Sequence, residues 1–126
     1  MSVSDDLFDH LATIALIGGP AAPRLYRRKL PAPIPDMPAL TFFRITTGFE
    51  YAHDGDSTLI GPRYQVSCWA ETGAGAETLA RTVQQRMDTW HTIFGGAAIP
   101  IEQYDMIESE TGMFHVPIDF RIWYNQ

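Results

Sequence analysis

Residues 61–90, "GPRYQVSCWAETGAGAETLARTVQQRMDTW", change their apolar period half-way along, and that change decides the fold class. Up to Ala70 the period is two. Tyr64, Val66 and Cys68 share one side, while Arg63, Gln65, Ser67 and Trp69 share the other. Side chains alternate in this way on a strand with one buried face. From Ala76 the period becomes that of a helix, about 3.6 residues. Ala76, Leu79, Ala80, Val83, Met87 and Trp90 then form one stripe of a helix over 73–90. Gly73-Ala74-Gly75 gives that helix a flexible start; it lacks the Lys and Ser/Thr of a phosphate loop.

Downstream, Gly95-Gly96 breaks the chain, and 99–108 and 114–124 read as two more strands around a turn at 109–112. In the last strand Phe114, Val116, Ile118, Phe120, Ile122 and Tyr124 alternate without a gap. Pro117 cannot donate a ladder hydrogen bond, so its end of the strand is expected at a sheet edge or a strand start. Upstream, "ALTFFRIT" (39–46) is rich in β-branched and aromatic residues and reads as a strand. Residues 47–60 join it to the strand at 61–71 as a long polar hairpin connection, with a turn signal at Asp54-Gly55.

Residues 20–38 hold six of the nine prolines, a density that excludes a helix or a central strand. Residues 31–38 are expected to be extended, as a stiff surface connection or as an arm on a neighbour, and 24–30 leaves room for a short edge strand. A first helix is expected over 5–17, with Ser4 as N-cap and Asp5 and Asp6 in its first turn. Leu7, Leu11 and Ile14 repeat at helical spacing, and Gly18-Gly19-Pro20 ends the run.

The elements in order imply an α+β domain: a mostly antiparallel sheet of about four to five strands, two helices packed on one face, and a long hairpin loop between the second and third strands. At 126 residues the chain reads as a single domain, 1–126, with the Pro-rich segment 20–38 inside it.

Composition narrows the function classes. The chain is 45% hydrophobic and 19% charged, the balance of a folded domain. No apolar run approaches the ~20 residues of a spanning helix, so no membrane partner is expected. Asp5, Asp6 and Asp9 precede the apolar run 11–19 where a secretory signal would carry positive charge. A single cysteine, Cys68, leaves no internal disulfide and no cysteine-based zinc cage; mid-strand, it reads as a packed thiol, and a reducing cytoplasm fits. The net charge of −6 disfavours a grip on nucleic acid. Arg24, Arg27, Arg28 and Lys29 put four of the nine basic residues into six positions, either a solvated arm or a contact for an acidic partner surface.

The chemistry-bearing residues are sparse. His53, Asp54 and Asp56 lie within four residues and are types that ligate metals or activate water. They sit at an Asp-Gly turn, where both residue types serve the backbone, and His10, His91 and His115 bring no spaced carboxylate to complete a ligand set. Glu102, Glu108 and Glu110 carry no diagnostic spacing. There is no nucleophile elbow, phosphate loop, zinc-protease helix or dinucleotide fingerprint. No catalytic residue, cofactor or metal is therefore assigned, and an enzyme is not expected. A small metal-dependent hydrolase using His53, Asp54 and Asp56 stands as the weaker alternative. Trp69 and Trp123 fall on the strand face opposite the apolar set, either as interface anchors or as residues covered by the Pro-rich arm.

Three pieces carry a family likeness: a first helix ending in glycine, "RLYRRKLPAPIPDMPALTFFRIT" (24–46) and "RYQVSCWAETGAGAETLARTVQQRMD" (63–88). In this order they resemble the tail completion, or tail-to-head joining, proteins of long-tailed bacteriophages, relatives of the tail terminators. Arg63, Gln65, Trp69, Ala70, Ala76, Leu79, Ala80 and Val83 match the family's strand-into-helix pattern; from Ile93 onward only the strand rhythm does. The resemblance implies a structural virion protein that forms a hexameric ring at the head-proximal end of the tail tube, ends the tail and joins it to the head connector. It also implies as partners other copies of the chain, the tail tube protein and the connector, with DNA passing through unbound, in a neck assembled in the bacterial cytoplasm. The free protein can be monomeric until it meets the tube. Another neck component of the same fold, a head completion or minor tail protein, stays open. On this reading the ring and partner contacts fall to Arg24, Arg27, Arg28, Lys29, Trp69 and Trp123, and to the loop residues Glu50, His53, Asp54 and Asp56.

Overall fold

The computed structural model describes residues 3–19, 21, 23–31, 36–46, 59–60, 62–88, 97–103, 106–107 and 113–125. Seven strand segments are present: β1 (Leu25–Arg27), β2 (Ala39–Thr46), β3 (Leu59–Ile60), β4 (Arg63–Ala70), β5 (Ala97–Gln103), β6 (Met106–Ile107) and β7 (Phe114–Asn125). Their registers reduce them to five strands. Leu59 pairs with Asn125, Ile60 with Tyr124 and Arg63 with Arg121, so β3 and β4 keep one antiparallel register along β7. The bond from Ile122 N–H to Pro62 O, 3.0 Å, continues the same ladder between them. β5 and β6 likewise share the opposite side of β7, from Ala97↔Trp123 to Ile107↔Phe114, with one bulge between Pro100 and Glu102. The spatial order is β1, β2, β3/β4, β7, β5/β6. Only the β1–β2 pair is parallel. The expected α+β class, with a mostly antiparallel sheet, is what the chain adopts.

The apolar face of each strand points the same way. Leu40 and Phe42 of β2, Tyr64, Val66 and Cys68 of β4, and Val116, Ile118, Phe120 and Ile122 of β7 are buried there. Helix α2 (Gly73–Asp88) lays Ala76, Leu79, Ala80, Val83 and Met87 onto that surface, the stripe read from its period. Thr72 caps it by accepting the N–H of Gly75 at 3.0 Å, so the start is a side-chain cap rather than a loose glycine run. Helix α1 (Val3–Leu11) adds Leu7 and Leu11 to the same core, so both helices lie on one face. His10 Nε2 at 2.7 Å from Arg86 O ties the two helices together.

Three expectations are corrected. The first helix does not run to residue 17; it ends at Leu11, and a short 3₁₀ turn follows at Ala15–Ile17. Thr13 and Ile14 bond back three residues, to His10 and Leu11, which tightens the last turn, and Ile14 is extended. The break lets Leu11, Ile14 and Ile17 all reach the core. Ser4 lies inside α1, and its hydroxyl is 2.6 Å from Tyr64 OH rather than on the helix start. Pro117 is not at an edge: β7 is paired on both sides. The alternation set by Ile122 turns the Pro117 nitrogen toward the β5/β6 side, so its missing donor costs no bond to β4.

Candidate functional surface

Two surfaces gather the polar and charged side chains. The first is the β1–β2 edge. Arg24 is spent inside the chain: its Nε donates to Pro38 O at 2.8 Å and its Nη2 to Leu16 O at 2.9 Å, clamping the ends of the Pro-rich segment. Arg27 ties β1 to α1 through Asp5 at 2.8 Å, with its guanidinium 5.3 Å from the Phe8 ring centre and 5.7 Å from that of Phe42. Both ends of the Arg27–Asp5 pair are about half exposed, so it orients more than it stabilises. Arg28, Lys29 and Arg44 are exposed. Ser4, Arg27, Arg28, Phe42, Arg44 and Tyr64 line a groove of about 500 Å³ here.

The second surface is the sheet face away from the helices. Trp69 stacks on His115, its cross-strand partner, at 3.9 Å between ring centres and 8° between planes. Its indole N–H donates to Thr41 Oγ1 at 3.0 Å. Four residues along β7, Asp119 is buried at 4% exposure, and both of its oxygens accept: one from Arg63 Nη2 at 2.7 Å, the other from Gln65 Nε2 at 3.1 Å. Burial lowers the His115 imidazole from its ordinary value, so the neutral ring is favoured. Thr41 and Ser67 are also buried on this face. On this face long polar and aromatic side chains packed across strands thus cover Thr41, Ser67 and Asp119, while Phe43 remains exposed.

The chain matches the family described as tail completion protein gp17 over residues 5–125. The chain belongs to the tail completion protein family. In fold it is similar to a chain from a structure titled "Virion of native gene transfer agent (GTA) particle", at TM-score 0.66 and 15% identity, covering 99% of this chain and 98% of that one. No curated protein matches it. Family membership makes this a phage structural protein that serves tail completion.

Within this tail completion fold the ten residues singled out from sequence separate clearly. Arg24 and Arg27 brace the chain internally; Arg28 and Lys29 face outward at the β1 edge. Trp69 is half-buried and engaged with Thr41 and His115. Trp123 occupies β7 opposite Ala97; its side chain lies outside the described residues. Glu50, His53, Asp54 and Asp56 also lie outside them. Among the described residues no three His, Cys, Asp or Glu side chains gather as a metal site. Cys68 is buried in the core, and burial pushes its thiol far above its ordinary value. Sequence reasoning passed over Asp119 and Arg44. Asp119 stands on the polar side of the β7 alternation directly opposite Gln65, the signal that would have found it.

Proposed function

We propose that this protein closes the head-proximal end of the tail tube as a ring, hexameric in the assembled virion, and presents there the surface on which the head connector docks. The family match over residues 5–125 carries the reading. Three features of the chain support it. The edge of the sheet at β1 is short and leaves part of β2 open for a neighbour. The outward arginines offer a contact for an acidic partner. The net charge of −6 suits the wall of a channel through which DNA slides without being held. The partners are then other copies of the chain, the tail tube protein and the connector, in the neck of a virion assembled in the bacterial cytoplasm.

The test is deletion of the gene from the phage or prophage that carries it, with electron microscopy of the lysate. Tails of uncontrolled length beside separate, DNA-filled heads are expected. Normally joined particles would overturn the proposal.

A further inference from the structure

Past the end of β1 the chain builds a groove rich in hydrogen-bond donors. Ser4, Arg27, Arg28, Arg44 and Tyr64 line it, around a volume of about 500 Å³. Three of these residues carry guanidiniums, in a chain whose net charge is −6. Arg27 already has a carboxylate partner, Asp5, at 2.8 Å. Arg28 and Arg44 are exposed, and neither side chain makes a hydrogen bond or ion pair among the described residues. The backbone holds Arg28 in an unusual turn to place it there. Its φ is +78°, which a side chain of this size rarely adopts. Its N–H donates to Phe42 O at 2.9 Å, and the N–H of Lys29 to Arg27 O at 3.0 Å, so the turn is fixed on both sides. Strain of this kind persists only where the surroundings enforce it, and it concentrates where a surface is used.

The floor of the groove adds a further donor. Tyr64 is 1% exposed, and its hydroxyl lies 2.6 Å from that of Ser4. Whichever way that bond runs, one hydroxyl donates to the other and one O–H proton is left over. No group among the described residues accepts it. Two uncommitted guanidiniums and a spare O–H, with Asp5 already engaged, make a site that offers protons and lacks acceptors. Such a site is complementary to anions, and a guanidinium takes a carboxylate through two parallel N–H···O bonds.

Two candidate anions fit poorly. A DNA duplex is gripped by cations spread along a face, one for each phosphate contacted. Arg24, Arg63 and Arg86 are bonded within the chain, so the groove is a point of cation excess rather than part of a stripe. The described carboxylates of a neighbouring copy fit no better. Asp5, Asp6 and Asp9 stand on α1 beside the groove itself. Contacts around a ring run head to tail, so a patch beside the groove is not the patch that enters the next copy's groove. Asp36, Glu71, Glu77 and Asp88 are exposed, but each stands without a second acid beside it. We infer that the groove is a docking site for an acidic segment of a different virion protein, whose neighbouring carboxylates pair with Arg28 and Arg44. The inference rests on the proposed docking of other virion proteins on this chain.

Carbodiimide coupling in joined particles tests it, because the reagent links a lysine amine to a carboxylate in contact with it and takes up the water released. Lys29 is the one lysine of the sequence, so Lys29→Arg with Arg44→Lys keeps the charge of the chain and puts its single lysine amine in the groove. This chain is supplied to the phage deleted for the gene, and coupled peptides from joined particles are read by mass spectrometry. An amide from position 44 to an Asp or Glu of another virion protein is expected. Coupling to another copy of this chain, to its own chain only, or to no protein, as a groove facing DNA or solvent would give, overturns the docking and leaves the ring reading intact. A second variant reads the charge. Arg28→Glu with Arg44→Glu, at two exposed positions, should keep the circular dichroism of the parent and lower the yield of joined particles about tenfold or more, since attraction becomes repulsion. An unchanged yield would overturn the docking. A fold lost in that variant leaves the decision to the charge-conserving one. Normally joined particles from the deletion itself would remove the ring reading, and this inference with it.

Discussion

Asp119→Ala is the substitution whose cost can be worked most directly from the structure. The carboxylate is 4% exposed and accepts two hydrogen bonds, from Arg63 and from Gln65. A bond from a charged donor to a charged acceptor contributes about 1.5–3 kcal/mol, and a neutral donor adds about 1 kcal/mol. Against that sum, Arg63 is 32% exposed and can turn partly to water once its partner is gone. Its Nε is already buried without a partner, so it cannot simply stay. The expected loss is therefore about 2–3 kcal/mol, which for a domain of this size lowers Tm by roughly 8–10 °C. Asp119→Asn keeps an acceptor and loses mainly the charge, so about 1 kcal/mol is expected. Urea unfolding followed by circular dichroism measures both, and a double-mutant cycle with Arg63→Met should show a coupling of about 1–2 kcal/mol. If Asp119→Ala unfolds within about 0.5 kcal/mol of the parent, the ordinary range for a surface substitution, the covered polar cluster described above is wrong.

Thr72→Ala removes the cap on α2 and should cost about 1 kcal/mol in the same unfolding assay, with Thr72→Ser retaining most of it. His115 is held neutral by burial, so the folded state binds its proton less readily than the unfolded chain does. Its contribution is complete above the unfolded value of 6.5 and is lost as pH falls below it; His115→Gln should flatten the acid side of the Tm-versus-pH curve, below pH 6.5. Leu79→Ala empties a fully buried position beneath the sheet and should cost about 2–5 kcal/mol by thermal unfolding. Arg28→Gly relieves the positive φ and should raise stability by about 1 kcal/mol, read by urea unfolding followed by circular dichroism.

Local rhythm made much of this fold legible. The period-two face of Tyr64, Val66 and Cys68, and the helical stripe from Ala76 to Met87, reappear in the structure because each is set by burial of its own neighbours. What rhythm could not reveal depends on partners distant in the chain. The first helix stops at Leu11 because Ile14 and Ile17 find more core after a break than along a straight axis. Ser4 looks like a cap until Tyr64, sixty residues away, takes its hydroxyl. Pro117 looks like an edge until β7 is seen paired on both sides, with the Pro117 nitrogen turned away from β4. The basic cluster at 24–29 was visible as charge, but its division was not: two arginines brace the chain and one is turned outward by the backbone. The polar face was readable as alternation alone; that Asp119 is sealed there by Arg63 and Gln65 needed the register.

The two margins of the sheet are unlike. On the β5 side, Ala97 and Ile99 sit opposite Trp123 and Arg121, and the next residue, Pro100, turns its nitrogen away from β7 and toward the outer margin. A proline there offers an incoming strand nothing to bond, and the bulge beside it bends the line a strand would follow. The margin at β2 has no such proline in its described strand, but it too is bent, by a bulge between Arg44 and Thr46. A sheet receptive at both margins would zip copies into a ribbon without end. Here both margins are bent and one also carries a proline, so simple strand stacking is checked on either side, and any larger assembly must be held by other contacts.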